Sequence, residues 1–179
     1  AFPVLKQEWS LTDSAVQVTL SATTLGFAMG QLFVGTLSDR FGRRLPLILC
    51  SSLHVISSVM VALAGSVEFL IVMRALQGVG AAGGAVVAMA MTRDLFSGKP
   101  LVVMLSRLAL ISVLAPIIAP IVGSWMVSFM PWRGVFWALA GYGLIIVLLV
   151  SLMTVETRPP AARTTGGVRS LARGFGVVA

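Results

Sequence analysis

Charge is what this chain has least of. Only 11% of its 179 residues are Asp, Glu, Lys or Arg, whereas an ordinary globular domain carries about a quarter. So few charges could not solvate the surface of a soluble domain of this length. Cysteine occurs once, at Cys50, which excludes an internal disulfide and leaves a small packing residue early in an apolar run. Histidine also occurs once, at His54. One His and one Cys are poor material for a metal centre or a nucleophilic enzyme, so no catalytic residue, metal or cofactor is expected. The six acidic residues, Glu8, Asp13, Asp39, Glu68, Asp94 and Glu156, all lie outside the middle of any apolar run.

Hydrophobic residues are abundant, at 58% of the chain. The intervals 14–38, 45–67, 75–92, 108–132 and 134–155 contain no charged residue. Each is close to the ~20 residues that cross ~30 Å of hydrocarbon as a helix. Open strands in lipid would leave backbone groups unpaired, so helix is the state these runs require. The interval 75–92 extends outward through Phe69–Met73, interrupted only by Arg74. The expected fold is an all-α integral membrane protein with five transmembrane helices.

The net charge of +7 could suggest nucleic acid, but its placement excludes that partner. If the helices alternate, Arg40, Arg43, Arg44, Arg93, Lys99, Arg107, Arg158, Arg163, Arg169 and Arg173 all fall on one side. Only Lys6 and Arg133 fall on the other. That asymmetry places the turn after residue 35 and the C-terminal tail in the cytoplasm, and leaves no basic face for DNA. Five spans with a cytoplasmic C-terminus put residue 1 outside. No signal peptide starts the chain, which begins with Ala, so we expect a fragment lacking at least one N-terminal helix.

The expected organisation is an outer loop at 1–13, a helical bundle at 14–155 and a linker at 156–179. Helices are expected at about 14–37, 46–65, 69–91, 104–128 and 134–154. Thr12, Asp13 and Ser14 offer N-cap chemistry, Gly42 allows a tight reversal, and Pro46 fits a first helical turn. Trp125, Trp132 and Trp137 gather near the outer ends of the last two helices, as an aromatic interface belt would. Small residues recur at four-residue spacing in Ala22, Gly26, Gly30; Gly80, Gly84; and Ala115, Ala119, Gly123. Close backbone approach drives helix association in lipid, so three of the five helices read as members of a tight bundle.

Four stretches bear on function. Gly78–Gly83 satisfies G-x-G-x-x-G, but inside an apolar span it has neither a preceding strand nor an accessible helix N-terminus, so a dinucleotide site is rejected. Residues Gly35–Arg44 read GTLSDRFGRR. Gly35 would let the first helix approach a neighbour, while Asp39 sits among Arg40, Arg43 and Arg44 at the membrane edge. Such pairs can hold one state of a rocking bundle; the plainer reading is a basic loop that only fixes topology. Asp94, in TRDLF, is placed to pair with this loop. Met73–Gly84 reads MRALQGVGAAGG, with Arg74 about 7 Å inside the boundary at 1.5 Å per residue. A charge there costs ~2.5 kcal/mol or more unless it snorkels, pairs or lines a wet cavity. Gln77 shares its face. Leu114–Trp125 reads LAPIIAPIVGSW, where Pro116 and Pro120 each remove a helical hydrogen bond and Gly123 opens the small face. His54 sits mid-span and could titrate or simply pack as a neutral ring.

The stretch Gly35–Arg44 resembles the loop G-x-L-(S/A)-D-R-x-G-R-R between the second and third helices of the major facilitator superfamily, matched at Gly35, Leu37, Asp39, Arg40, Gly42, Arg43 and Arg44. Arg74, Gln77, Gly78, Gly80, Ala81 and Ala82 resemble that family's fourth-helix pattern R-x-x-Q-G-x-G-A-A. The A-P-x-x-A-P-x-x-G run departs from the generic fifth-helix motif, with Ala115 before proline and Ser124 after Gly123, but resembles the bicyclomycin and chloramphenicol resistance exporters. The resemblance covers essentially the whole chain, as family helices two to six plus the start of the central cytoplasmic linker. It implies a major-facilitator-type bundle working by alternating access, in which Arg74, Gln77 and Gly78 serve substrate and proton coupling. It further implies proton-coupled efflux of small amphipathic drugs across the cytoplasmic (inner) membrane. The partners expected are a drug-like small molecule, protons, the lipid bilayer, the missing N-terminal helix and the C-terminal half of the same protein. A proton-coupled or facilitated carrier of a sugar or other metabolite is the alternative; a receptor, scaffold or membrane enzyme fits the residues less well.

Overall fold

The computed structural model describes residues 13–159. Most of the expected outer loop, and the linker beyond residue 159, lie outside the described residues. Five helices occupy almost all of the rest: α1 Asp13–Phe41, α2 Arg44–Ala62, α3 Val67–Leu95, α4 Gly98–Val127 and α5 Trp132–Met153. Each is long and apolar enough to cross a membrane, and no strand occurs among the described residues.

Helices α1, α3 and α4 run past their charge-free intervals, because charged residues at a span's edge continue its backbone hydrogen bonds rather than ending them. Thus α1 runs through Gly35–Phe41, and the reversal needs only Gly42 and Arg43 instead of the expected loop at 38–45. Gly42 has φ 94°, a left-handed conformation that suits glycine. Pro46 lies buried in the first turn of α2. Similarly, α3 and α4 take up the gap expected between residues 91 and 104, broken only at Phe96–Ser97. Ser66 caps α3, accepting the Phe69 N–H at 3.3 Å, and Glu68 in that first turn complements the helix dipole.

Helix α3 is the centre of the bundle, packing against both α1 and α2, while α5 packs on the other side of α2. Glycine makes these approaches possible. A Cβ on Gly26 would overlap the Ala75 carbonyl of α3, and one on Gly78 would overlap the Thr23 carbonyl of α1. On a second face of α3, Gly80 lies where a Cβ would come 2.6 Å from the His54 backbone nitrogen, and Gly83 abuts Cys50. The G-x-G-x-x-G run is therefore a helix-contact device serving two neighbours.

Three expectations about small residues are corrected. A Cβ on Gly35 would sit 3.8 Å from Val86, an ordinary contact, so no close approach occurs there. Gly84 faces open space. In α4 no residue is buried and a Cβ on Gly123 would meet nothing, so Ala115, Ala119 and Gly123 make no tight seam among the described residues. The helix also continues unbroken through Pro116 and Pro120.

A hydrophobic cluster of Val61, Ala62, Ala64, Leu70, Trp132 and Phe136, with Met73 against it, closes the end of the bundle opposite Gly42. Trp132 is 1% exposed and meets Phe136 edge-on at 6.0 Å. It is a core residue and not part of an interface belt, which the exposed Trp125 and Trp137 still fit. Arg133 lies over the Trp132 ring at 4.5 Å and donates to the Ala64 carbonyl at 3.3 Å, closing the α2–α3 turn over this core.

Candidate functional site

Two polar clusters interrupt the apolar bundle, one at the Gly42 end and one inside the opposite half.

The first is built around Arg43. The turn at Gly42 carries this side chain back beneath α1 and α3, where the residue is 4% exposed. Its Nε donates to Asp94 Oδ2 at 2.7 Å and its Nη2 to Asp94 Oδ1 at 3.3 Å, a forked pair. Its Nη1 donates to Asp39 Oδ1 and to Ser38 Oγ, both at 2.8 Å. Burial alone would lower the pKa of this guanidinium, but hydrogen bonds and charge from Asp94 and Asp39 outweigh it and hold the group above its ordinary value.

The segment after α5 folds under the same end. Arg158 Nη1 donates to Asp39 Oδ1 at 2.8 Å, and Thr157 Oγ1 to Asp94 Oδ2 at 3.4 Å. Glu156 accepts the backbone N–H of Arg43 at 2.8 Å and of Arg44 at 3.3 Å. A carboxylate therefore caps the N-terminus of α2, where the helix dipole favours negative charge. Arg44 donates to the Ser151 carbonyl of α5 at 2.6 Å. One interlocking set of bonds thus ties α1, α2, α3 and the post-α5 segment together.

Of the residues predicted for this cluster, the structure joins Asp39, Arg43, Arg44 and Asp94. Gly42 shapes the turn. Arg40 is exposed and lies over the Phe41 ring at 5.3 Å. The sequence alone did not place Ser38, Glu156, Thr157 or Arg158 in this cluster. The signal available was a Glu-Thr-Arg run directly after the fifth apolar stretch.

The second cluster lies where α2, α3 and α5 meet. Arg74 is half-buried, its guanidinium over the Phe136 ring at 5.5 Å. Its Nη1 donates to Gln77 Oε1 at 3.2 Å, so the shared face read from sequence is a real contact. Gln77, 3% exposed, donates from Nε2 to Ser58 Oγ at 2.8 Å. The His54 Nδ1 meets the Gln77 backbone carbonyl at 3.3 Å. Gly78 is a packing position against α1. Ser58 was not foreseen; a Ser57-Ser58 pair inside an apolar span was the available clue.

Beside this cluster an open cavity of about 300 Å³ is lined by Ser51, His54, Gly80, Gly84, Tyr142 and Ile146, among others. Pro116, Pro120 and Gly123 stand apart from both clusters on the exposed α4.

The Major Facilitator Superfamily model matches residues 1–178. The chain belongs to the Major Facilitator Superfamily. It is 35% identical over 178 residues to the uncharacterized MFS-type transporter YdgK of Bacillus subtilis, covering 98% of this chain and 44% of that protein. It is 31% identical over 175 residues to a bicyclomycin resistance protein homolog of Haemophilus influenzae, covering 98% and 44%. With the multidrug resistance protein MdtL of Escherichia coli K12 it shares 32% identity over 159 residues, covering 89% and 41%. The chain thus spans less than half the length of these relatives. Among solved structures, the human organic anion transporter MFSD10 (TETRAN) superposes with a TM-score of 0.72 at 21% identity, covering 87% of this chain and 36% of that one; this likeness is one of fold. Family members of this kind are transporters and not enzymes, and this chain is a multi-pass membrane protein.

Proposed function

We propose that this bundle is part of a proton-coupled exporter that carries small amphipathic drugs across the cytoplasmic membrane by alternating access. The observation that carries the reading is Arg74: a guanidinium held inside a membrane-length apolar helix, with a neutral amide and an aromatic ring as its neighbours. A cation in hydrocarbon is costly and characteristically marks a substrate or ion pathway. The names of two relatives, a bicyclomycin resistance protein homolog and the multidrug resistance protein MdtL, support drugs as the cargo. The positive-inside asymmetry supports a cytoplasmic Arg43 cluster and C-terminal tail.

In this reading the Arg43 cluster is the conformational latch. Its ion pairs sit at the membrane edge, Asp39 remaining 43% exposed, so they can be broken and remade as the bundle rocks without stranding charges in lipid. Arg74 and Gln77 act in the opposite half, where a proton-bearing carboxylate supplied by another part of the whole protein would feel the guanidinium and lose its proton more readily. The prolines of α4 let that helix bend as access alternates.

The test is chloramphenicol accumulation in cells lacking their own efflux pumps and expressing the whole transporter. Accumulation should be low, and should rise both with a protonophore and with Arg74→Ala. Accumulation equal to that of the empty host would remove chloramphenicol export from the reading.

A further inference from the structure

Arg74 does not end its interactions at Gln77. The Arg74 N–H donates to Gln77 Oε1 at 3.2 Å, the Gln77 amide donates to Ser58 Oγ at 2.8 Å, and the Ser58 hydroxyl donates to the His54 carbonyl at 2.7 Å. These three bonds run in one direction, from the guanidinium on α3 to the backbone of α2. Their direction has a chemical cause. A guanidinium has donors only, so it requires the oxygen of the Gln77 amide. At the other end the single Ser58 proton is committed to the His54 carbonyl, so Ser58 can only accept, and it requires the amide nitrogen. Both ends demand the same orientation of Gln77, and donors aligned in series polarise one another.

We propose that Ser58 is a positioning residue for Arg74: by accepting from the Gln77 amide, it fixes Gln77 Oε1 toward the guanidinium and so sets the direction in which Arg74 points. Ser58 and Gln77 are 0% and 3% exposed, so water does not reach the pair freely to replace either partner. Phe136 of α5 covers the guanidinium on another side at 5.5 Å. The side chain is therefore directed by two neighbouring helices, and the hydrogen bond from α2 to the Gln77 side chain comes from one hydroxyl. Without it the buried amide has an unmet donor, turns to find an acceptor, and releases Arg74. Gln77 is also where the cavity joins in, because its backbone carbonyl meets the His54 ring that lines the cavity wall.

This inference rests on the role proposed for Arg74 in export, so its test has one arm within transport and one outside it. In vesicles holding the whole transporter, Ser58→Ala should slow proton-driven chloramphenicol uptake about tenfold, as loss of a hydrogen bond to a charged network does. Ser58→Thr, which keeps the hydroxyl, should stay within about threefold. In a Gln77→Ala background, Ser58→Ala should cost nothing further. The second arm is the thermal midpoint of the purified whole protein. Ser58 and Arg74 make no direct bond to each other, yet the midpoint shifts of Ser58→Ala and Arg74→Ala should add to less than their sum, and should become additive once Gln77 is alanine. Additive shifts with Gln77 intact, or uptake by Ser58→Ala within about twofold of the parent, would overturn the proposal. If the parent exports no chloramphenicol, the export reading fails by itself and the midpoint cycle alone decides the role of Ser58.

Discussion

A single methyl group tests the packing of α3. Gly26 and Gly78 sit where a Cβ would overlap a backbone carbonyl of the facing helix, and neither carbonyl can swing away. Gly26→Ala and Gly78→Ala should each destabilise the protein by about 1–3 kcal/mol, because the helices must separate. Gly84→Ala meets nothing and gains helix propensity, so it should be neutral or slightly stabilising. Thermal unfolding in detergent, read side by side, checks the contrast. Arginines of one motif should differ in the same way. Arg43→Ala leaves Asp94, Asp39 and Ser38 without their shared donor and should cost about 2 kcal/mol, less than the roughly 3–5 kcal/mol of a fully buried pair because the carboxylates keep partial solvent contact. Arg40→Ala removes an exposed side chain and should stay within about 0.5 kcal/mol. Glu156→Ala removes the carboxylate cap of α2 and should cost about 1 kcal/mol.

At the scale of elements, α4 behaves unlike its neighbours. It is the longest helix among the described residues, it carries two internal prolines, and none of its residues is buried. Its prolines therefore contribute little to packing within this chain and stand free for a mechanical role. Replacing Pro116 and Pro120 together by alanine restores two backbone donors, so the thermal midpoint should be unchanged or higher. If bending of α4 belongs to the cycle, drug efflux by the whole transporter should nevertheless fall about tenfold. Efflux equal to the parent's would make the prolines idle.

For the whole molecule, the sidedness of the bundle is the property to measure. The Arg43 cluster and the Trp132 core occupy opposite ends, and the positive-inside argument assigns the former to the cytoplasm. In a Cys50→Ala background, a thiol at Lys99→Cys should react with an impermeant maleimide only from the cytoplasmic side, and one at Phe129→Cys only from outside. The reverse pattern would invert the bundle and move the latch to the outer face. Orientation bears on the proposed export, in which the latch would have to yield when drug enters from the cytoplasm.

The number of helices, their membrane-length apolarity and the reversal at Gly42 were set by local sequence, since each depends on the spacing of charge and on one glycine's backbone freedom. The motif pairings of Arg43 with Asp39 and of Arg74 with Gln77 were equally legible, because they lie four and three residues apart on one helix face or across its turn. What tertiary structure alone decided joins residues distant in the chain. Glu156 capping α2 and Arg158 on Asp39 bridge separations of 113 and 119 residues. Ser58 receiving the amide of Gln77 depends on the rotation of α2 about its axis, and Trp132 is core because α2 and α3 end beside it. Likewise, four-residue spacing marked small faces on three helices, but only a facing helix made Gly26, Gly30 and Gly80 contacts and left Gly123 open. Periodicity fixes which residues share a face, while the packing of one helix against another fixes what that face meets.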